Sequence, residues 1–83
     1  MLAPRRHEAL IYLATHSNSS NSEIADAIGI SDQGQASRLL ARMEDLGLIQ
    51  NRNPYNHGAA NAWQITRDGR RLLHALESHD ERA

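Results

Sequence analysis

The chain has 83 residues, a formal net charge of −1 and no cysteine, and 40% of its residues are hydrophobic but only 4% aromatic. This length suits a single domain, 1–83, with an aliphatic core, and the lack of cysteine excludes disulfides and thiolate metal sites. Because no apolar run approaches the about 20 residues that span a bilayer and no secretory signal precedes the first predicted helix, we expect a cytoplasmic protein without a membrane segment. No phosphate-binding glycine loop or Ser/His/Asp arrangement is present, so we expect no enzyme activity and no cofactor.

The first predicted helix covers about residues 4–15, since Pro4 suits a first helical position and apolar residues follow at helical spacing. After a polar link at 17–20, Ser20 and Glu23 have the spacing of a capping box, which predicts the start of a second helix. The apolar residues of that helix recur on one face: Ile24, Ala25 and Ile28.

The second helix is predicted to end at Gly29, which readily adopts positive φ. A third helix over about 32–46 follows at once, with Ser31 or Asp32 as its N-cap. Its inward-facing residues are predicted to be Ala36, Leu39, Leu40, Met43 and Leu46. A short helix, a tight turn and a longer helix form a helix-turn-helix, here with its core at 20–47, which can place an exposed helix in the major groove of DNA.

Two short strands, 48–52 and 62–66, are predicted next, and alternation in the second places Trp63 inward. The link at 53–61 is rich in turn residues and forms a hairpin loop, so 48–66 reads as a wing. Thr66 caps a last helix over 67–79, with an apolar stripe of Leu72, Leu73 and Leu76. The predicted fold is therefore mainly α with a small β-hairpin, a winged helix-turn-helix in the order helix-helix-helix-strand-strand-helix.

The charge is unevenly distributed along the chain. Six arginines lie between Gln33 and Arg71 against three acidic residues, so the middle of the chain is mildly positive although the total is −1. Arginine pairs bidentately with guanine or phosphate, which suits DNA contact, but a GC-rich genome produces the same preference for arginine.

The polar face of the third helix has two interpretations. It is a solvated surface, or it meets base edges, where Gln reads adenine and Arg reads guanine. Arg38 and Arg42 could also pair with nearby carboxylates such as Glu44 or Asp45. We predict that the face binds DNA, with Gln35, Ser37 and Arg38 reading sequence and Arg42 contacting phosphate. The predicted DNA-binding residues of this helix are Gln33, Gln35, Ser37, Arg38 and Arg42.

Two further groups of polar residues have weaker signals. Arg52, Asn53, Tyr55 and His57 are predicted to reach phosphate through the wing, and the alternative for each alone is a solvated loop. On the last helix His74 and Glu77 lie three residues apart and His79 follows. Because no further ligand pair accompanies them, we interpret them as exposed polar residues and predict no metal site.

The run from Ile30 to Ile49, with Ala-Ser-Arg-Leu-Leu-Ala-Arg-Met-Glu-Asp-Leu-Gly-Leu-Ile at its end, followed by Trp-Gln-Ile-Thr-Arg-Asp-Gly at 63–69, resembles MarR-type winged helix-turn-helix regulators. The resemblance covers about residues 20–76. It implies sequence-specific binding of double-stranded DNA by a transcription regulator or its DNA-binding module.

The chain departs from that family in three places. The turn at 32–35 is one residue longer than usual, with Gly34 weakening the first turn of the third helix. The wing lacks the Asp-x-Arg signature, and the long flanking helices that dimerise full-length members are missing. The resemblance therefore implies a minimal winged helix, either a whole protein or a module similar to those in larger actinobacterial regulators.

Two questions about partners stay open at this stage. A winged helix that docks a protein through its third helix is the alternative function, although such a surface more often exposes leucine or aromatic residues. Apolar residues in surplus on the first and last helices predict a weak homodimer. A small-molecule effector is left open. The residues behind the dimer prediction are Leu10, Ile11, Leu13, Ala14, Leu72, Leu73 and Leu76.

Overall fold

The computed structural model describes residues 4–53 and 61–81, with the side chains of 5–53 and 61–78. The predicted order of elements is confirmed, and the described part of the chain is mainly helical with one antiparallel hairpin. Both strands are one residue shorter at each end than predicted. The elements are α1 (Pro4–Thr15), α2 (Asn21–Ile28), α3 (Gln33–Asp45), β1 (Ile49–Asn51), β2 (Trp63–Ile65) and α4 (Arg67–Glu81).

Helix α2 is fixed at both ends. The predicted capping box is confirmed: the Glu23 backbone N–H donates to Ser20 Oγ at 3.1 Å, and the Ser20 N–H donates to Glu23 Oε1 at 2.8 Å. Gly29 closes the helix with φ 78°. At the same end the Arg5 guanidinium of α1 donates to the Ile28 carbonyl, which places a cation at the negative end of the helix dipole.

Asp32 is the N-cap of helix α3, which decides between the two predicted caps, Ser31 and Asp32. Asp32 Oδ1 accepts from the N–H of Gly34 at 2.8 Å and from that of Gln35 at 3.4 Å. At the other end Gly47 has φ 76°, and the Leu48 N–H returns to the Met43 carbonyl at 3.0 Å.

This C-terminal turn corrects one prediction. It carries Leu48 back into the core, where the side chain is 8% exposed. Leu46, which precedes the turn, is left 50% exposed, so the prediction that it faces inward is wrong. The buried stripe of α3 ends at Met43, because the chain reverses before Leu46 could reach the core.

The hairpin pairs Ile49 with Ile65 and Asn51 with Trp63. The link between α1 and α2 joins it at one point, since the Trp63 N–H donates to the Ser19 carbonyl at 2.9 Å in an antiparallel bridge. From the sequence, this link was predicted only to be polar. A single bridge leaves no alternating apolar pattern that could have predicted it.

The core is aliphatic around one indole ring, as predicted. Trp63 is 5% exposed, which confirms its inward direction. All three helices before the hairpin, both strands and α4 contribute to one cluster. The buried cluster comprises Ala9, Leu10, Leu13, Ile24, Ile28, Leu40, Met43, Leu48, Ile49, Trp63, Ile65 and Leu73.

Helix α4 packs directly on the start of the hairpin. Thr66 caps it as predicted, since the Gly69 N–H donates to Thr66 Oγ1 at 3.0 Å. A Cβ at Gly69 would lie only 2.1 Å from the Leu48 carbonyl oxygen, so the helix can approach this closely only with glycine at 69. Within the described residues, no helix has the length and apolar character needed to cross a membrane.

Candidate nucleic-acid interface

Helix α3 has two clearly different faces. Ala36, Leu40 and Met43 are buried against the core. Every residue of this helix that was predicted from the sequence to bind DNA is exposed, and Arg38 and Arg42 lie on the side opposite the buried stripe. These exposed residues are Gln33, Gln35, Ser37, Arg38 and Arg42.

The two arginines of this face have no carboxylate partner in the described part of the chain. The salt bridge formed there joins Arg5 to Glu8 at 3.7 Å, both on α1. The alternative in which Arg38 and Arg42 pair with Glu44 or Asp45 is therefore not found. Unpaired guanidinium groups keep their donors free for an external anion or base.

Gly34, in the first turn of α3, lies next to the side chain of Arg38. A Cβ at Gly34 would lie 3.4 Å from the Arg38 Nη1 atom and 3.2 Å from Asp32 Oδ1. The Arg38 side chain therefore extends back along the helix toward its N-terminus. In that orientation the guanidinium lies next to Gly34 rather than at the far end of the helix.

Helix α2 contacts the α3 face through Asn21, a residue that the sequence analysis did not single out. Asn21 Nδ2 donates to Ser37 Oγ at 3.3 Å. On its other side Asn21 Oδ1 accepts from Trp63 Nε1 at 2.5 Å and from Asn61 Nδ2 at 3.1 Å. Asn21 thus joins the candidate interface, the core tryptophan and the hairpin.

The base of the wing is ordered by a second asparagine. Asn51 Oδ1 accepts from the backbone N–H groups of Asn53 and Ala62, each at 3.0 Å, and Asn51 Nδ2 donates to Asn61 Oδ1 at 2.9 Å. Arg52 lies between these contacts with an exposed side chain. The structure therefore places two predicted wing residues, Arg52 and half-buried Asn53, at the base of the wing.

Tyr55 and His57, the other two predicted wing residues, lie outside the described residues. Asn51 and Asn61 were missed because their contacts depend on the hairpin register. The available signal was the number of asparagines at both ends of the predicted loop, Asn51, Asn53 and Asn61. Asparagine is common in turns for local reasons, so composition alone does not distinguish a turn residue from one that forms contacts between the hairpin and the helices.

The histidines of α4 do not form a metal cluster in the described side chains. His74 and Glu77 are both exposed. Among the described residues no three His, Asp or Glu side chains come together to hold an ion. The side chain of His79 lies outside them.

Solved structures with the same fold come from MarR-type proteins. The zinc-responsive MarR family member ZitR of Lactococcus lactis has a TM-score of 0.78 at 21% identity, covering 99% of this chain and 56% of that one. MepR of S. aureus, solved as a DNA complex, has a TM-score of 0.82 at 24% identity over 96% and 66%. The PcaV transcriptional regulator of Streptomyces coelicolor has 0.85 at 16% identity over 96% and 58%.

These likenesses confirm the expected MarR-like winged-helix fold. The chain spans less than two thirds of the length of each of these proteins. No curated protein sequence gives a significant match. A protein-family model, described as FaeA-like protein, matches residues 5–67, which include α1, the helix-turn-helix and the hairpin. The chain belongs to the family of FaeA-like proteins.

Proposed function

We propose that this chain binds double-stranded DNA in a sequence-specific manner, as a transcription regulator or as its DNA-binding module. The observation that carries the proposal is the exposed face of α3, where two arginines that pair with no carboxylate among the described side chains lie opposite a buried stripe. Solved structures of the same fold, MepR and ZitR, are described in complex with DNA, which supports the proposal by analogy.

In the proposed complex α3 enters the major groove. Gln35, Ser37 and Arg38 read base edges together with Gln33, because Gln offers both a donor and an acceptor to adenine and Arg offers two donors to guanine. Arg42, one turn further along, contacts phosphate and sets the register.

The wing supplies the second part of the proposed interface. Arg52 is exposed at its base, next to Asn53, and both are proposed to contact the sugar–phosphate backbone. Tyr55 and His57 belong to the same proposal from the sequence alone. Contacts of this kind carry no sequence information but position the reading helix.

A protein-docking winged helix is the competing function. The exposure of Leu46 at the end of α3 is the observation that favours it, since docking surfaces are enriched in large apolar residues. Leu46 is the one large hydrophobic residue exposed on this described helix, however, and most of the other exposed residues there are polar or charged. The composition of the face therefore supports DNA over a protein partner.

For assembly we propose a weak homodimer through α1 and α4. Leu10 and Leu13 are fully buried within the chain and so are not available to a partner, contrary to the broad surface expected from sequence. Ile11 remains 48% exposed beside a groove of about 380 Å³ between α1 and α4. We propose that the twofold axis of this dimer spaces the two reading helices about 34 Å apart, so that they enter successive major grooves.

Selection of binding sites from random duplexes, followed by variants, tests the proposal. On the selected site Arg38→Ala should cost about 1–3 kcal/mol of binding free energy and relax the preference at one base pair. Arg71→Ala, which removes an exposed arginine of α4, is the matched control and should change neither. Failure to enrich any sequence, or equal effects of the two variants, would contradict base reading by Arg38.

A further inference from the structure

Three asparagines form a hydrogen-bonded chain that runs from the base of the wing to α3. We call Asn51, Asn61 and Asn21 the amide chain. Its links are Asn51 Nδ2 to Asn61 Oδ1 at 2.9 Å, Asn61 Nδ2 to Asn21 Oδ1 at 3.1 Å, and Asn21 Nδ2 to Ser37 Oγ at 3.3 Å. All three asparagines are half-buried. The amide chain therefore connects β1, the end of the wing and α2 to the candidate reading face.

Donor-only groups at both ends fix the direction of this chain. The Trp63 indole N–H can only donate, so the atom of Asn21 that it meets at 2.5 Å must be the oxygen. At the other end, the backbone N–H groups of Asn53 and Ala62 both donate to Asn51, so the Asn51 atom that they meet must also be the side-chain oxygen. Each side-chain NH₂ then points toward α3, and a flipped amide at any position would bring two donors or two acceptors together.

The direction has a consequence for Ser37. Its oxygen receives a hydrogen from Asn21, so one lone pair is used within the protein. The hydroxyl proton of this exposed residue stays available. Ser37 is thereby presented as a donor, which suits a phosphate oxygen or a purine N7.

The amide chain also fixes the position of Arg52. The strand ladder ends at the pair of Asn51 with Trp63, and Arg52 is the next residue. One backbone bond, from the Arg52 N–H to the Ala62 carbonyl at 2.8 Å, continues the pairing, and the Asn51 side chain holds the Asn53 and Ala62 N–H groups around it. Water could satisfy half-buried amides equally well, so the distinctive contribution of the links is geometry rather than stability.

We propose that Asn21, Asn61 and Asn51 are positioning residues that hold the base of the wing against α2 and α3. Arg52 and the face of α3 then bind DNA as one rigid surface. This inference rests on the proposed function. It adds that the wing contact and the base-reading contact are energetically coupled through the amide chain.

A double-mutant cycle on the selected duplex tests the coupling. Arg52→Ala and Asn61→Ala should each weaken binding about fivefold, and together they should weaken it little more than Asn61→Ala alone, because coupled sites are not additive. Asn61→Ala keeps the contact of Asn21 with Trp63, so the circular dichroism spectrum and the Trp63 emission should stay unchanged.

Gln64→Ala provides the matched control. Gln64 lies in β2, three residues after Asn61, and its Nε2 donates to Asn18 Oδ1 at 2.9 Å, but it has no link to α3. In that background Arg52→Ala should keep its full effect of about fivefold. If Asn61→Ala lowers the folded fraction, Asn61→Ser, whose short hydroxyl cannot reach both neighbouring amides, replaces it in the cycle.

The outcomes separate this inference from the function on which it rests. Losses that multiply to about 25-fold in the double variant would overturn the coupling alone. If Arg52→Ala alone leaves the affinity for the duplex unchanged, the inference is also overturned, because the base of the wing then contributes nothing to binding. A wild-type protein that binds no duplex would overturn the proposed function and this inference with it.

Discussion

The indole N–H of Trp63 donates to the side-chain oxygen of Asn21 at 2.5 Å, across 42 positions of sequence. The ring of Trp63 is 5% exposed, while Asn21 also contacts Ser37 on the exposed face of α3. A buried indole N–H needs an acceptor, and here the acceptor belongs to the candidate interface. The core and the surface proposed to bind DNA therefore meet in this one hydrogen bond.

Substitutions of Trp63 should separate the stability that comes from packing of its ring from the stability that comes from its hydrogen bond to Asn21. Trp63→Ala removes the ring and should cost about 3–5 kcal/mol of unfolding free energy. Trp63→Phe keeps much of the packing but removes the indole donor to Asn21 Oδ1, which still accepts from Asn61 Nδ2, so it should cost less, about 1–3 kcal/mol from the smaller ring and the lost hydrogen bond. Urea denaturation followed by circular dichroism gives both values. A Phe variant as stable as the wild type would show that the hydrogen bond adds nothing.

Gly69 should tolerate no side chain. Gly69→Ala would place a Cβ 2.1 Å from the Leu48 carbonyl oxygen, so α4 must shift, at a cost of about 3 kcal/mol by overpacking. Gly47→Ala is a useful comparison, because it meets no atom within 4 Å and should cost only about 1–2 kcal/mol through its positive φ. Thermal denaturation of both variants ranks them. A smaller loss at Gly69 than at Gly47 would contradict the close packing of α4.

The N-cap of α3 can be tested with neighbouring residues. Asp32→Ala removes the acceptor of the Gly34 and Gln35 N–H groups and should cost about 0.5–2 kcal/mol of stability. Ser31→Ala is the control and should have an effect within about 0.5 kcal/mol, as expected for an exposed residue outside the cap. Urea denaturation measures both. The reverse ranking would return the cap to Ser31.

Ile11 should govern self-association if the proposed dimer forms. Ile11→Glu places a charge on the exposed side of α1, and sedimentation should then show a monomer at concentrations where the wild type associates. Leu46→Glu, which changes a second large hydrophobic residue that is exposed among the described side chains, should leave the dimer intact. A wild type that stays monomeric at millimolar concentration would exclude this dimer.

Local signals explain which features could be predicted from the sequence. The capping box at Ser20 and Glu23, the positive φ of Gly29 and the inward direction of Trp63 each follow from neighbouring residues or from strand alternation. The polar face of α3 could be predicted as well, because the helical spacing of its apolar residues is also a local pattern.

The features that were missed depend on tertiary structure. The bridge from Ser19 to Trp63 and the contact of Asn21 with Asn61 join residues about 40 positions apart, which no local pattern reveals. The exposure of Leu46 depends on how tightly the chain turns at Gly47. A side chain that looks periodic at the end of a helix can thus lie just beyond the last contact with the core.

Salt dependence of duplex binding tests the central claim most directly. Fluorescence anisotropy with the selected duplex should show an affinity that falls as salt rises, with a slope of about −0.9 in log–log form for each phosphate contact. Arg42→Ala should reduce the size of that slope by about 0.9, while Arg71→Ala should leave it unchanged. An affinity independent of salt, or no duplex binding at low ionic strength, would contradict the proposal that the α3 face binds DNA.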